Sequence, residues 1–342
     1  MGKILRFDFE PTGLGSMPFS DPQESCRIIF DNFKKIPFWP QLPKRSYLEN
    51  MYVQFSERLP GLVVDEPGKN IFIDNSRVAS EIESVYAKYL EGDTEFFKIS
   101  EDHAAGFYKF IDGVGAGSKE IKAIKGHITG PISFALSVTD QNKRAVIYDK
   151  DLFEVLTKTL VMKVRWQIKR LKKAFPSVII FIDEPYLVSI GSSYVNINTA
   201  AAFEKLDELI KSVRQEGALC GIHCCGNTDW GAVLKRDIDI LSFDAYNFTK
   251  ELLLYAPDVK NYLDRGGSIA WGIVPSSEGI EKETLKGLTQ RFKSTLSGLS
   301  EKGIPKGSVS SLITPSCGVG TLTKENAKKA LEITNMLSEE MR

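Results

Sequence analysis

The sequence lacks a charge bias. Its 44 basic and 44 acidic residues cancel, so no overall field draws the chain to nucleic acid or to an anionic membrane surface. It lacks a run of about eighteen apolar residues, so no segment is predicted to span a bilayer as a helix. The first residues, Met1 to Arg6, carry neither a long apolar region nor a small-residue cleavage site. That predicts no secretory leader. No internal repeat, low-complexity tract or linker composition interrupts the chain, which predicts one domain over residues 1–342. The densest basic run, Lys169-Arg170-Leu171-Lys172-Lys173, reads as the solvated end of a helix. Cysteine is scarce and odd in number, at 26, 220, 224, 225 and 317. An odd set with three members crowded together is a poor disulfide framework and fits a reduced, cytoplasmic protein. These absences leave a small molecule as the expected partner, with no nucleic acid and no membrane.

What is present is order. From Asp151 onward, short apolar runs alternate with amphipathic stretches. The runs are 178–182, 218–222, 238–243, 268–272 and 308–313; helical patterns cover about 151–174, 199–215, 248–263, 282–301 and 324–341. Strands spaced by helices imply βαβ units and a parallel sheet. Three earlier runs, 12–17, 38–42 and 121–129, bring the candidates to the number a (β/α)8 TIM barrel needs. The segment 61–75 reads as a hairpin about a Pro67-Gly68 turn. With helical patterns at about 77–92 and 102–112 it makes an insertion, about 61–115, before the third strand.

The chemistry-bearing residues fall at the ends of these runs. His223-Cys224-Cys225 ends one, Asp183-Glu184-Pro185 another and Asp244 a third, and Cys317 follows a fourth. Gly15-Ser16 and Thr129-Gly130-Pro131 end two of the earlier runs. In a barrel, residues at the carboxyl ends of strands converge on one mouth. One imidazole and two thiolates suit zinc, which takes nitrogen and sulfur ligands tetrahedrally, and three protein ligands leave a fourth position open. Alternation along an extended segment puts His223 and Cys225 on one side and Cys224 on the other. The expected ligands are therefore His223, Cys225 and Cys317. The competing reading is buried cysteines acting as small hydrophobes; adjacent cysteines do not make a Cys-x-x-Cys redox pair. Asp183 and Glu184 either recognise a cationic substrate group, orient a site residue, or cap a helix. Asp244 is a zinc ligand, a partner holding His223, or a cap. His127, in an apolar run, reads as a core or rim histidine, and His103 as a surface one. Trp39 and Trp271 line a pocket or pack in the core.

Taken together, these residues resemble the catalytic domain of cobalamin-independent methionine synthase, within the barrel superfamily of uroporphyrinogen decarboxylase and the corrinoid methyltransferases. The resemblance rests on Gly15-Ser16-Met17-Pro18, Glu49-Asn50-Met51, Thr129-Gly130-Pro131, Asp183-Glu184-Pro185, His223-x-Cys225 and Cys317-Gly318. It implies a zinc-dependent methyltransferase that moves a methyl group to a small thiol, homocysteine first, giving methionine. It implies that Ser16 and Asp183 grip the amino-acid part of the thiol, with Glu184 and Thr129 beside them, and that Asp183 and Asp244 serve the reaction. Asp244 stands where the family has a glutamate ligand. The chain also departs from the family. Pro40-Gln41-Leu42-Pro43-Lys44-Arg45 replaces the family's His-Gly-Glu segment, and the folate-contacting Tyr-Gly-x-Arg-Cys stretch is absent. A methylated corrinoid such as methylcobalamin, free or on a corrinoid protein, is therefore expected as donor ahead of methyltetrahydrofolate. Arg45 points to a second acceptor, an anionic thiol such as coenzyme M. The remaining alternatives are a metal-free lyase of the uroporphyrinogen decarboxylase type and a non-catalytic zinc or corrinoid carrier.

Overall fold

A computed structural model describes residues 5–114, 120–191 and 195–342. In chain order the strands are β1 (Asp8–Pro11), β2 (Leu62–Asp65), β3 (Asn70–Ile73), β4 (Ile124–Thr129), β5 (Thr139–Asp140), β6 (Val178–Asp183), β7 (Leu219–Cys224), β8 (Ile240–Phe243), β9 (Ser268–Val274) and β10 (Ser310–Pro315). The helices are α1 (Pro22–Asn32), α2 (Asn75–Glu91), α3 (Ala105–Val114), α4 (Pro131–Ser137), α5 (Lys150–Ala174), α6 (Thr199–Gln215), α7 (Trp230–Leu234), α8 (Ala245–Leu253), α9 (Ala256–Asp264), α10 (Leu285–Glu301) and α11 (Lys324–Met341).

Seven strands form one curled parallel sheet in the order β1-β10-β9-β8-β7-β6-β4. Apart from the edge strand β1, the interior of each strand is buried on both faces, as β-branched runs such as Val178 to Ile182 anticipate. Residues on alternate parity form two separate cores. The larger one joins the sheet to the helices. The smaller one gathers Phe7, Leu14, Ile36, Ala123, Ile179, Phe181, Ile240, Ala270 and Leu312 inside the curl. Helix boundaries follow local chemistry: Asp149 accepts from the amides of Asp151 and Leu152 to start α5, and Asp74 caps α2, which ends at the left-handed Gly92.

The first and second expected strands differ from the structure. The first lies at Asp8–Pro11 rather than 12–17, because Gly13, a Gly15 with φ of 151° and Pro18 suit a turning segment rather than a ladder. The second, 38–42, is extended but joins its neighbours only through single bridges, Ser16 with Gln41 and Phe38 with Lys125. Its backbone bonds reach β4 on one side and the segment that follows β1 on the other: the Trp39 amide donates to the Lys125 carbonyl, and the Met17 amide to the Gln41 carbonyl. The hairpin is present as β2 and β3, in register from Leu62 with Ile73 to Asp65 with Asn70, and β5 adds a third strand to it. Residue 115, the expected end of the insertion, lies outside the described residues. The expected helix 248–263 is two, α8 and α9, with Pro257 in the first turn of the second. No helix among the described residues is long and apolar enough to cross a membrane.

Candidate metal centre and cavity

His223, Cys225 and Cys317 come together at the carboxyl end of the sheet, with their candidate ligand atoms all within 4.8 Å of one another. His223 is the fifth residue of β7, and its parity turns the ring inside the curl. Its Nδ1 is 3.0 Å from the Ser242 hydroxyl on β8, while its Nε2 is buried without a partner. Cys224 faces away, with its thiol toward the Gly226 carbonyl. Cys225, in the bend just past β7, returns to the His223 side. Cys317 arrives from a bent segment. The β9–β10 register shifts between Thr314 and Pro315, and the Ser316 amide donates to the Val274 carbonyl at 2.7 Å. The Ser316 hydroxyl also accepts from the Ser276 amide at 3.1 Å, which pins the loop.

This donor set can hold a metal ion. The Cys317 thiol and the His223 ring push the Cys225 thiol down from its usual range, against the opposing effect of burial. Cys317 is pushed up by its neighbour Cys225 and by burial, since two adjacent thiolates repel. A cation between them would remove that repulsion, and the Nε2 of His223, which has no hydrogen-bond partner, could serve as a third donor.

The cluster forms part of the wall of a cavity of about 170 Å³, completed by Leu14, Gly15, Ser16, Gln41, Met51, His127, Asp183, Pro185 and Gly318. It opens where ligand sites of parallel α/β sheets lie, at the carboxyl ends of the strands. Asp183 pairs in register with His223, and one of its carboxylate oxygens has no partner. Burial pushes its carboxyl up, while His223 and Lys125 oppose that. Ser16 reaches the cavity because Gly318 has no side chain: a Cβ there would sit 2.2 Å from the Ser16 hydroxyl.

The other expected site residues do not line the cavity. Glu184 is fully buried and accepts from the Ile132 and Ser133 amides and the Ser133 hydroxyl, so it closes the amino end of α4. Burial pushes its carboxyl up to about 7. Thr129 donates its hydroxyl to the Met51 carbonyl at 2.5 Å and so holds the loop that carries Met51 to the cavity. Asp244 caps α8, with one oxygen accepting from the Asn247 amide and the other from its side chain. Arg45 is outside the cavity, with its guanidinium on Glu49 at 2.8 Å and on the Asp102 carbonyl at 3.2 Å. Trp39 and Trp271 are fully buried and do not line the cavity. His127 and Gln41, which the sequence did not mark for the site, do line it. Strand parity offered a signal for His127, two residues from Thr129 on β4 in a run that faces the curl.

No protein-family model matches the chain, and no curated protein matches it. Among solved structures it is similar to a B12-independent methionine synthase from Shewanella sp. W3-18-1 in complex with selenomethionine. That likeness has 17% identity and a TM-score of 0.45, covering 68% of this chain and 66% of that one. It is also similar to the GH113 beta-mannanase AaManA from Alicyclobacillus acidocaldarius in complex with ManMIm. There the identity is 11% and the TM-score 0.43, covering 99% of each chain. Both scores lie below 0.5, and neither likeness bears on what the chain does.

Proposed function

We propose that this chain is a zinc-dependent methyltransferase acting on a small thiol, with homocysteine as first acceptor and methionine as product. The observation that carries the reading is the His223, Cys225 and Cys317 cluster opening into a cavity large enough for a few heavy atoms. These three residues would hold the ion. Bound there, zinc would lower the pKa of a substrate thiol so that its nucleophilic thiolate exists at neutral pH. The chain's own residues do the rest. Ser242 holds the His223 ring through Nδ1 and so fixes which nitrogen faces the ion. Asp183 presents an unpartnered carboxylate oxygen to the amino group of the acceptor, and Ser16 a hydroxyl to its polar end. We place Asp244 outside the ligand set, because Asn247 occupies both of its oxygens. Glu184 and Thr129 act as positioning residues behind the cavity wall. Arg45, already paired, gives no cation to an anionic thiol, so homocysteine stands ahead of coenzyme M.

The donor in this reading is a methylated corrinoid, free or on a partner protein, since α2 and α3 stand where the family's folate-contacting stretch would be. We read the whole chain as one domain. The segment 38–42 serves as the eighth stave of a barrel, supported by its bonds to β4 and to the segment that follows β1.

The test begins with metal analysis of the purified chain. About one zinc per chain is expected, lost in Cys225→Ser and Cys317→Ser. Methyl transfer is then assayed with methylcobalamin and methyltetrahydrofolate, each against homocysteine and coenzyme M. A folded, metal-free chain would overturn the zinc reading, and turnover with folate but not cobalamin would overturn the donor.

A further inference from the structure

His127 shares the cavity with the metal cluster without belonging to it. It is 2% exposed, and neither ring nitrogen has a hydrogen-bond partner. The surroundings hold the ring without satisfying it. Trp39 stacks on it at 3.8 Å between centroids and 24° between planes, and Phe55 meets it edge-on at 6.1 Å. Trp39 is itself fixed, donating its Nε1 to Gln167, whose amide donates to the His127 carbonyl. On the other side Gly15 leaves room for the ring: a Cβ there would lie 2.8 Å from Cε1. Phenylalanine would fill this slot with no polar atom to desolvate, so packing alone does not account for an imidazole. Burial, and then Lys125, push its pKa well down, leaving a neutral ring with one donor and one acceptor.

Gln41 beside it is oriented by a chain of amides. The Gln54 side chain donates to the His103 carbonyl at 2.7 Å, so its own oxygen must accept from the Gln41 Nε2 at 2.8 Å. The Gln41 oxygen is thereby left as an acceptor. Asp183 adds a second unpartnered acceptor to the cavity.

We propose that His127 is a specificity-determining residue, the hydrogen-bonding end of the cavity that selects thiols whose far end carries both N–H donors and acceptor oxygens. The proposal rests on the thiol reading above. Gln41 and Asp183 take the donors, and the His127 N–H takes an acceptor oxygen. A sulfonate, with acceptors alone, leaves the Gln41 and Asp183 oxygens facing it without a donor.

The test uses the zinc-loaded full chain and three probes: homocysteine, 1-propanethiol and coenzyme M. Wild type is expected to bind homocysteine about tenfold or more tighter than either of the others, the scale of one net hydrogen bond. His127→Phe is expected to lose about tenfold for homocysteine and to leave 1-propanethiol unchanged at equal zinc content. The chain has 3 histidines, so ring nitrogen NMR resolves each of them in wild type, independently of how the variant folds. The His127 nitrogens should move with homocysteine and stay with 1-propanethiol. Equal losses for both thiols, or unmoved His127 signals with homocysteine bound, would overturn the proposal while leaving the methyltransferase reading intact. If zinc-loaded wild type binds none of the three, the thiol reading fails and takes this proposal with it.

Discussion

The candidate metal centre is bordered by a hydroxyl, that of Ser242, which is not among its candidate ligands. An imidazole that binds a metal through Nε2 keeps its proton on Nδ1, and here the Ser242 hydroxyl lies 3.0 Å from Nδ1, in place to accept that proton once a metal is bound. Ser242→Ala frees the ring to rotate and to exchange tautomers. Zinc affinity should fall about 10- to 100-fold, by analogy with other outer-shell partners of metal-bound histidines. Chelator competition measures this, and an unchanged affinity would show that Ser242 only fills space. At this scale the sequence was informative where alternation alone decides direction. His223 and Cys225 share one side and Cys224 takes the other. It was uninformative where a neighbour distant in the chain decides a residue's use. Glu184 belongs to α4 because the Ser133 and Ile132 amides reach it first. His127 belongs to the cavity because Trp39 and Gly15 hold it there.

Between elements, two short motifs prove to be halves of one joint. Gly130 starts α4 without a capping side chain, and Glu184 from the end of β6 supplies the acceptor instead. The approach is close: a Cβ on Gly130 would lie 2.2 Å from a Glu184 oxygen. Gly130→Ala should therefore cost about 1–3 kcal/mol through overpacking, because the Glu184 carboxyl it meets is held by the Ile132 and Ser133 amides and the Ser133 hydroxyl. Urea unfolding would show this as a lower midpoint at constant slope; an unchanged midpoint would mean that the Glu184 side chain simply moves aside. The sequence marked both motifs but gave no sign of their pairing, which arises because β4 and β6, the strands that precede them, lie side by side. Long periodic elements were the most legible. The pattern over 151–174 is α5 nearly to the residue, because a 25-residue amphipathic helix repeats its signal many times. Strand β1, four residues with a register shift and a left-handed Phe9, repeats nothing and was misplaced.

Over the molecule as a whole, the open question for a curled sheet is what joins its edges. Here β1 and β4 are tied by side chains as well as by the segment between them. The Lys125 ammonium donates to the Leu14 carbonyl at 3.0 Å, and Lys122 pairs with Glu10. Burial alone would raise the Glu10 carboxyl, but Lys122 and the Asp8 amide outweigh it and hold the carboxyl below its usual value of 4.5. A depressed carboxylate contributes stability that is fully present above its unfolded pKa and is lost as pH falls through the lower folded value. Glu10→Gln should thus cost about 1–3 kcal/mol at pH 7. The gap from wild type should shrink steadily below about pH 4.5 as both chains come to carry a neutral side chain. Urea titrations at neutral and acid pH would show it, and a pH-independent gap would mean the ion pair adds nothing to closure. The sequence by itself determined the alternation of strands and helices, the α/β class and the presence of a nitrogen and sulfur donor set at strand ends. All of these follow from periodicities and chain neighbours, which are local properties. Only the tertiary structure decided that Cys317 meets His223, that Arg45 is taken by Glu49, that Asp244 is a cap and that His127 faces the cavity. Each of these depends on which strands become neighbours in space, and that is set by packing of the whole sheet rather than by any one segment's preference.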